Sequence, residues 1–385
     1  MRSIMGGVAA FSLTATAAAA GGLDRTGQPI TLLFEKGNYA EFSVGRAQPD
    51  VTGNDVATLN PFGTPSGGVA QDFSQFGAGL KYQLSDQVSF ALIYDQPWGS
   101  DISYPTADAN PNTPGSLLLG GTQAFADSDA LTGLVRYQFN DTWSVHGGLR
   151  YQRIDGRIRL RGAAYGPFNG YDIGLNRDAA VGWVAGAAYE IPDIALRVAL
   201  TYQSEIEHDF ASTETLAGLP GSIQGVKDVK TPQSVNLDFQ SGIAEDTLLF
   251  GSIRWADHSE TQLLTTAIAT PFGTLPSANL IDLNDTITYN LGVARQFTEN
   301  WAGSVSLGYE DADSDNLVSP LAPTNGFKSI SLGLQYTQGN MKVSGGVRYT
   351  DLGDAFAETG TPDVARADFQ DNDAVSFGLK VGFYF

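Results

Sequence analysis

Eight cations in this sequence share one kind of neighbourhood. Lys81, Arg136, Arg150, Arg197, Arg254, Lys342, Arg348 and Lys380 each stand between two apolar residues, as in "VRY" at 135–137, "LRY" at 149–151 and "IRW" at 253–255. Residues two apart share a face of a strand, so in an extended chain each cation points away from its apolar pair. A charge on an enclosed face needs a partner, and Glu41 and Asp238 fall on the same parity. An Arg there can also grip a ligand carboxylate through its bidentate fork. That makes Arg136, Arg150, Arg197, Arg254 and Arg348 candidate ligand-binding residues. Both roles can coexist.

Other chemistry finds less support. His146, His208 and His258 are scattered and there is no cysteine, so no metal site is expected and none of the spacings implies a cofactor. His146 shares the parity of the cations, but no motif sets a serine beside it, so catalysis is not expected. "GGLRYQRIDG" has no phosphate-loop or dinucleotide spacing. In "RIDGRIRLR", Arg153, Arg157, Arg159 and Arg161 continue the apolar parity of Trp143–Tyr151. They stand either beyond the membrane, level with lipopolysaccharide phosphates, or are turned inward by a bulge near Gln152.

The elements that position these residues are strands. Alternation recurs from Phe42-Val44 through Phe76–Tyr82, Val88–Tyr94, Leu131–Phe139, Trp143–Tyr151, Val181–Tyr189 and Ile194–Tyr202. It continues through Val235–Phe239, Leu249–Trp255, Ile287–Val293, Trp301–Tyr309, Ile330–Tyr336, Met341–Tyr349 and Val375–Phe385. Short turns such as Asn140-Asp141 and Gly339-Asn340 alternate with long polar segments such as 104–126 and 260–282. Tyrosine repeatedly closes an apolar set, as it does at a membrane boundary. The pattern predicts an all-β fold, a transmembrane antiparallel barrel of about 14 strands with short periplasmic turns and long outer loops.

Residues 1–20 read as a signal peptide cleaved near Ala20, with Arg2 at the start and Ala18–Ala20 at the cleavage site. Beyond it no apolar run approaches the ~20 residues of a spanning helix. The formal charge of −20 argues against nucleic acid as a partner. The expected location is therefore the outer membrane of a Gram-negative cell, with membrane lipids and lipopolysaccharide as surroundings. Pro97-Trp98-Gly99 interrupts the third strand, because proline gives no amide hydrogen to the ladder and glycine weakens it. It marks either a lateral opening in the wall or the outer end of the strand.

The order of the segments "GGLDRTGQPITLLFEKGNYAEFSV", "SFALIYDQPWGSDISYP", "YEIPDIALRVALTYQSEIEHDF" and "SGGVRYTDLGDA" resembles the FadL-type outer-membrane transporters of long-chain fatty acids and other hydrophobic compounds. The resemblance implies a 14-stranded barrel at 38–385, plugged by a short N-terminal hatch at 21–37 that carries Arg25, Gln28, Pro29 and Phe34. It also implies a third-strand kink matching Pro97, Trp98 and Gly99, and passive uptake of a fatty acid-like ligand through a lumen pocket. A general diffusion porin and an outer-membrane hydrolase are the alternative readings. Longer relatives carry Asn-Pro-Ala in the hatch. Here Asn60-Pro61-Phe62 lies in the first long loop instead.

The alternation runs to the last residue, and Phe383 and Phe385 resemble the C-terminal signal read by the outer-membrane assembly machinery. Deleting Phe385 is expected to reduce insertion much more than export. The measurement is the amount of heat-modifiable barrel in the outer membrane, and normal amounts would remove this role.

Overall fold

The computed structural model describes residues 23–385 except 58, 62, 108–113, 313–315 and 361–362. The expected signal peptide, with Gly21 and Gly22, lies outside the described residues. One antiparallel sheet of 17 hydrogen-bonded segments closes on itself. Three strands are each broken in two, so the segments form a closed barrel of 14 strands. They are β1 (Tyr39–Asp50), β2 (Phe73–Gln83), β3 (Val88–Asp95 and Gly99–Ser103), β4 (Gln123–Gln138), β5 (Trp143–Leu160), β6 (Tyr171–Ile191) and β7 (Leu196–Gln203 and Ile206–Leu216). Then follow β8 (Ile223–Thr231 and Ser234–Ala244), β9 (Thr247–Ala256), β10 (Thr286–Gln296), β11 (Trp301–Glu310), β12 (Phe327–Gln338), β13 (Met341–Leu352) and β14 (Asn372–Tyr384). Closure runs from Tyr39↔Tyr384 to Asp50↔Asp373, and Phe385 N–H adds a bond to Asn38 O at 3.2 Å.

Closure follows from the solvent. Backbone groups at membrane depth have no water to bond, so the sheet must have no edge. The expected parity holds around the wall. Leu149 is 63% exposed, whereas Arg150 beside it is 3% exposed. Aromatic pairs near the short turns, Trp143–Tyr189 and Trp301–Tyr336, lie at centroid distances of 4.9 and 4.8 Å. Arg153, Arg157 and Arg159 keep the outward parity, because the irregularity opposite Ile154 and Gly156 sits in β6, not near Gln152 in β5. They are tied outside the barrel, Arg153 to Asp129 at 2.8 Å and Arg159 to Asp172 at 3.2 Å.

The interior is divided by height. Its outer half is an apolar core in which inward residues Ile154, Ile158, Ile173 and Phe210 meet loop residues Val51, Val69, Leu119 and Leu263. Its inner half buries Lys81, Thr132, Arg136, His146 and Thr201 around a smaller apolar cluster that includes Ile30, Leu33, Leu134 and Val184. The loop sequences "SLLLGG" and "LLTTAIATPFGTLP" contribute Leu118, Leu119, Leu263 and Ile268 to that core rather than to the surface, while Leu117, Leu264 and Phe272 stay exposed. Above the core, short strands Gly53–Asp55, Leu317–Val318, Ala355–Glu358 and Ala365–Phe369 from three loops make a small sheet that acts as a lid. Asn60 is in the first of these loops, where it donates to Asp55 at 3.0 Å.

Candidate functional site

The wall is incomplete at the third strand. β3 pairs with β4 up to Asp95↔Ala130 and again from Gly99↔Asp127. Three residues of β3 therefore oppose two of β4, which is a bulge with one extra residue. On the other side the break is wider. β2 pairs with β3 only from Gln83↔Ser89 to Ala78↔Tyr94. Above that, the side chain of Gln96 spans the gap by accepting from Phe76 N–H at 2.8 Å, and Gln71 N–H donates to Asp101 O at 3.0 Å. Pro97, Trp98 and Gly99 lie between these two bridges, so the interruption is within the wall and not at its end.

The kinked backbone is nevertheless paired. Arg25 N–H donates to Pro97 O at 2.8 Å, and Gly99 N–H donates to Leu23 O at 2.9 Å, with Asp24 opposite Trp98. The N-terminal segment thus supplies the ladder that β2 does not. Leaving both groups bare would cost ~1–3 kcal/mol each. The Arg25 side chain fills the gap itself. Its guanidinium lies 4.3 Å from the Phe73 ring centroid and 3.9 Å from Asp127. A Cβ on residue 99 would displace that guanidinium, so glycine leaves the room that Arg25 occupies. Small cavities of about 70 and 80 Å³ flank the gap, one beside Asp95 and Phe76, the other beside Arg25 and Phe73.

The lumen cations hold this segment. Arg254 binds Asp24 at 2.5 Å, Asn236 at 2.7 Å and Gln28 at 3.2 Å. Gln28 also accepts from Ser234 at 3.1 Å. Phe34 lies between the guanidinium groups of Arg136 and Arg197, at 4.7 and 4.5 Å. Arg136 is in turn ion-paired with Glu190. Lys342 binds Glu35 at 2.7 Å, and Lys380 binds Glu41 at 3.2 Å. Pro29 lines the cavity beside Thr26 and Asp95. Arg150 donates to Thr132 at 2.8 Å. Arg348 Nε and Nη2, like Arg150 Nη1, have no hydrogen-bond partner among the described residues; Arg348 lies 5.0 Å over the ring of Phe327 at the edge of the apolar core, with the carboxylate of Glu310 as its neighbouring charge.

Sequence reasoning missed the support around Trp98. Its backbone N–H donates to Ser128 at 2.8 Å, its indole N–H to Gln152 at 3.2 Å, and its ring meets His258 edge-on at 5.8 Å. Burial draws the imidazole of His258 down to about 4, so the ring packs as a neutral group. Gln152 and His208 lay on the inward parity, but contacts between distant strands leave no local trace in the sequence.

Replacing Arg254 with Ala leaves Asp24 without its cation, a loss of about 3–5 kcal/mol for a buried pair. The N-terminal segment is expected to leave its seat. A cysteine placed at Ile30, in a chain otherwise free of cysteine, should react slowly with a water-soluble maleimide in the parent and much faster in Arg254→Ala.

Among proteins of curated function, no sequence matches the chain. Solved structures do. A FadL homologue of Pseudomonas aeruginosa aligns over 93% of this chain and 92% of its own, at 16% identity and a TM-score of 0.71. The toluene transporter TodX of P. putida aligns over 92% of each chain at 12% identity and 0.64. The toluene transporter TbuX of Ralstonia pickettii covers 96% and 97% at 11% and 0.61. These likenesses establish the barrel fold. The family pattern described as "Outer membrane protein transport protein (OMPP1/FadL/TodX)" matches residues 77–385, and the chain therefore belongs to this family of outer-membrane transport proteins.

Proposed function

We propose that this barrel takes up hydrophobic molecules passively and releases them sideways through the gap between β2 and β3. The observation that carries the reading is the gap itself, paired and filled by a removable segment rather than by the wall. In this account residues 23–37 act as the plug, or hatch, and Arg25 is its bolt. An apolar ligand entering the outer half of the lumen meets the core around Phe327 and Phe210. Withdrawal of Arg25 then opens a route to lipid that avoids water. Uptake needs no energy source if the ligand favours the conformation in which the plug has moved.

Arg348 supports a carboxylate-bearing ligand, with fatty acids as the leading class. Its Nε and Nη2 lie beside the apolar core with no hydrogen-bond partner among the described residues, and the carboxylate of Glu310 is its neighbouring charge. A carboxylate would complete its hydrogen bonding while the chain lies against Phe327. Toluene is the named cargo of two structural relatives, so a neutral hydrocarbon is the natural comparison. A water-filled porin is less favoured, because the N-terminal segment and the loop core occupy the lumen. Lipopolysaccharide at the outward arginines remains a proposal on the same footing.

Two measurements test these statements. Deleting Pro97 removes the extra residue and lets β3 alternate continuously against β4. Uptake of a hydrophobic substrate should fall while folding and surface abundance stay normal. Unchanged uptake through a wall shown to be closed would end the lateral route. Separately, Arg348→Met should weaken binding of a long-chain carboxylate about 10- to 100-fold, the equivalent of ~1.5–3 kcal/mol, and leave a neutral hydrocarbon unaffected. Equal losses for both ligands would remove the carboxylate role.

A further inference from the structure

The wall has a second interruption. β6 and β7 pair below, from Ile191↔Leu196 to Val184↔Gln203, and above, from Leu175↔Ser212 to Tyr171↔Leu216. Between them, residues 176–182 and 205–211 do not pair with each other, although the register is the same on both sides. The two strands splay and rejoin without slipping. Ser204 closes the lower end, its N–H donating to Trp183 O at 3.0 Å and its hydroxyl accepting from Trp183 N–H at 2.9 Å, and His208 meets Asp178 across the splay at 3.0 Å.

A line of buried hydrogen bonds joins this splay to the kink. The indole N–H of Trp98 donates to Gln152 Oε1 at 3.2 Å. Gln152 Nε2 reaches His208 Nε2 at 3.1 Å and Thr231 Oγ1 at 3.0 Å. His208 Nδ1 then reaches Asp178 Oδ2. Proton positions follow from the chemistry. An indole can only donate, so the Gln152 oxygen must face Trp98 and its amide hydrogens must face His208 and Thr231. His208 Nε2 must therefore accept, which leaves the imidazole proton on Nδ1, donated to Asp178. Every group has one permitted role, and the pattern requires a neutral His208.

We infer that Gln152 is a positioning residue for the kink, and that Gln152 and His208 form a proton-sensitive latch linking the two interruptions of the wall. A second proton on His208 would set Nε2–H against the amide hydrogens of Gln152. Gln152 would have to turn over, releasing both Trp98 and Thr231. Asp178 is the charged group that faces the ring. Glu207 and Asp209 on the same strand, and Asp228 and Lys230 on β8, lie on the opposite parity, outside the wall. Gln152 and Thr231 are neutral. The Trp98 contact is thus complete on the alkaline side of the His208 titration and lost on the acid side.

The latch rests on the lateral exit proposed above, but its test has a separate readout. In Gln152→Glu a carboxyl oxygen accepts from the Trp98 indole whether ionised or protonated, so the Trp98 contact no longer requires a neutral His208. The full barrel in detergent, labelled with ¹⁵N-tryptophan, gives the indole N–H signal of Trp98, assigned by its loss in Trp98→Phe. Across a pH titration this signal should move from bound to released in the parent as the pH falls, and stay at its bound position in Gln152→Glu and in His208→Phe. Gln152→Leu should show the released signal at every pH. A Gln152→Glu titration that parallels the parent, or a parent signal unchanged in Gln152→Leu, would overturn the latch whatever the exit route. Uptake into vesicles should lose its pH dependence in the same two variants. A Trp98 signal that titrates as expected with uptake unaltered would overturn the link to transport, while failure of the Pro97 deletion alone would bear on the exit and not on the latch.

Discussion

Every feature of this molecule depends on one requirement: a backbone at membrane depth must pair all its polar groups within the protein. Fourteen strands meet it by closing the ring from Asp50↔Asp373 down to Tyr39↔Tyr384. The single extra residue in β3 breaks the ring on the β2 side, and the N-terminal segment repairs it through Pro97 O and Gly99 N–H. A repair made by a neighbouring strand would be permanent. Here the repair is made by a segment that the lumen cations hold through its side chains.

The charges in the lumen serve the same end. Read singly, each arginine is a candidate anchor for a ligand. Together, Arg254, Arg136, Arg197 and Lys342 surround a segment that carries Asp24, Gln28, Phe34 and Glu35. They grip the segment by ion pairs, hydrogen bonds and cation–π contacts, beside the apolar packing of Ile30, Leu32 and Leu33 against Ala91, Leu134 and Val184. The larger apolar cluster sits higher, between the loops and the outer half of the wall, and a smaller one packs around Ile30 and Leu33.

The strands were legible because their pattern is local. Alternation at Val375–Phe385 or Trp143–Tyr151 assigns a face to each residue before any partner is known, and the observed exposure agrees. The kink was legible in type, since Pro97 and Gly99 have few other uses inside a strand. Its partner was not. Nothing around Leu23 or Arg25 says that these residues complete β3, because the contact spans some seventy positions of chain. The outward course of Arg153, Arg157 and Arg159 was also undecided, since it turns on whether the irregularity falls in β5 or β6. The place of the loop leucines at 118 and 119 in the core was not legible, because the sequence cannot show which loops fold over one another.

The lid has a kinetic consequence. It pairs Gly53 with Phe369 and runs Leu317 parallel to Phe356, so it joins chain regions from near the two ends of the barrel. In an unfolded chain, bringing such distant residues together carries a large loop-closure entropy. Once β1 has met β14, the same residues already stand side by side and the cost nearly vanishes. The lid is thus a late event, formed when the ring is complete. An unfinished barrel would leave its apolar interior uncovered, a marker by which incomplete chains differ from mature ones.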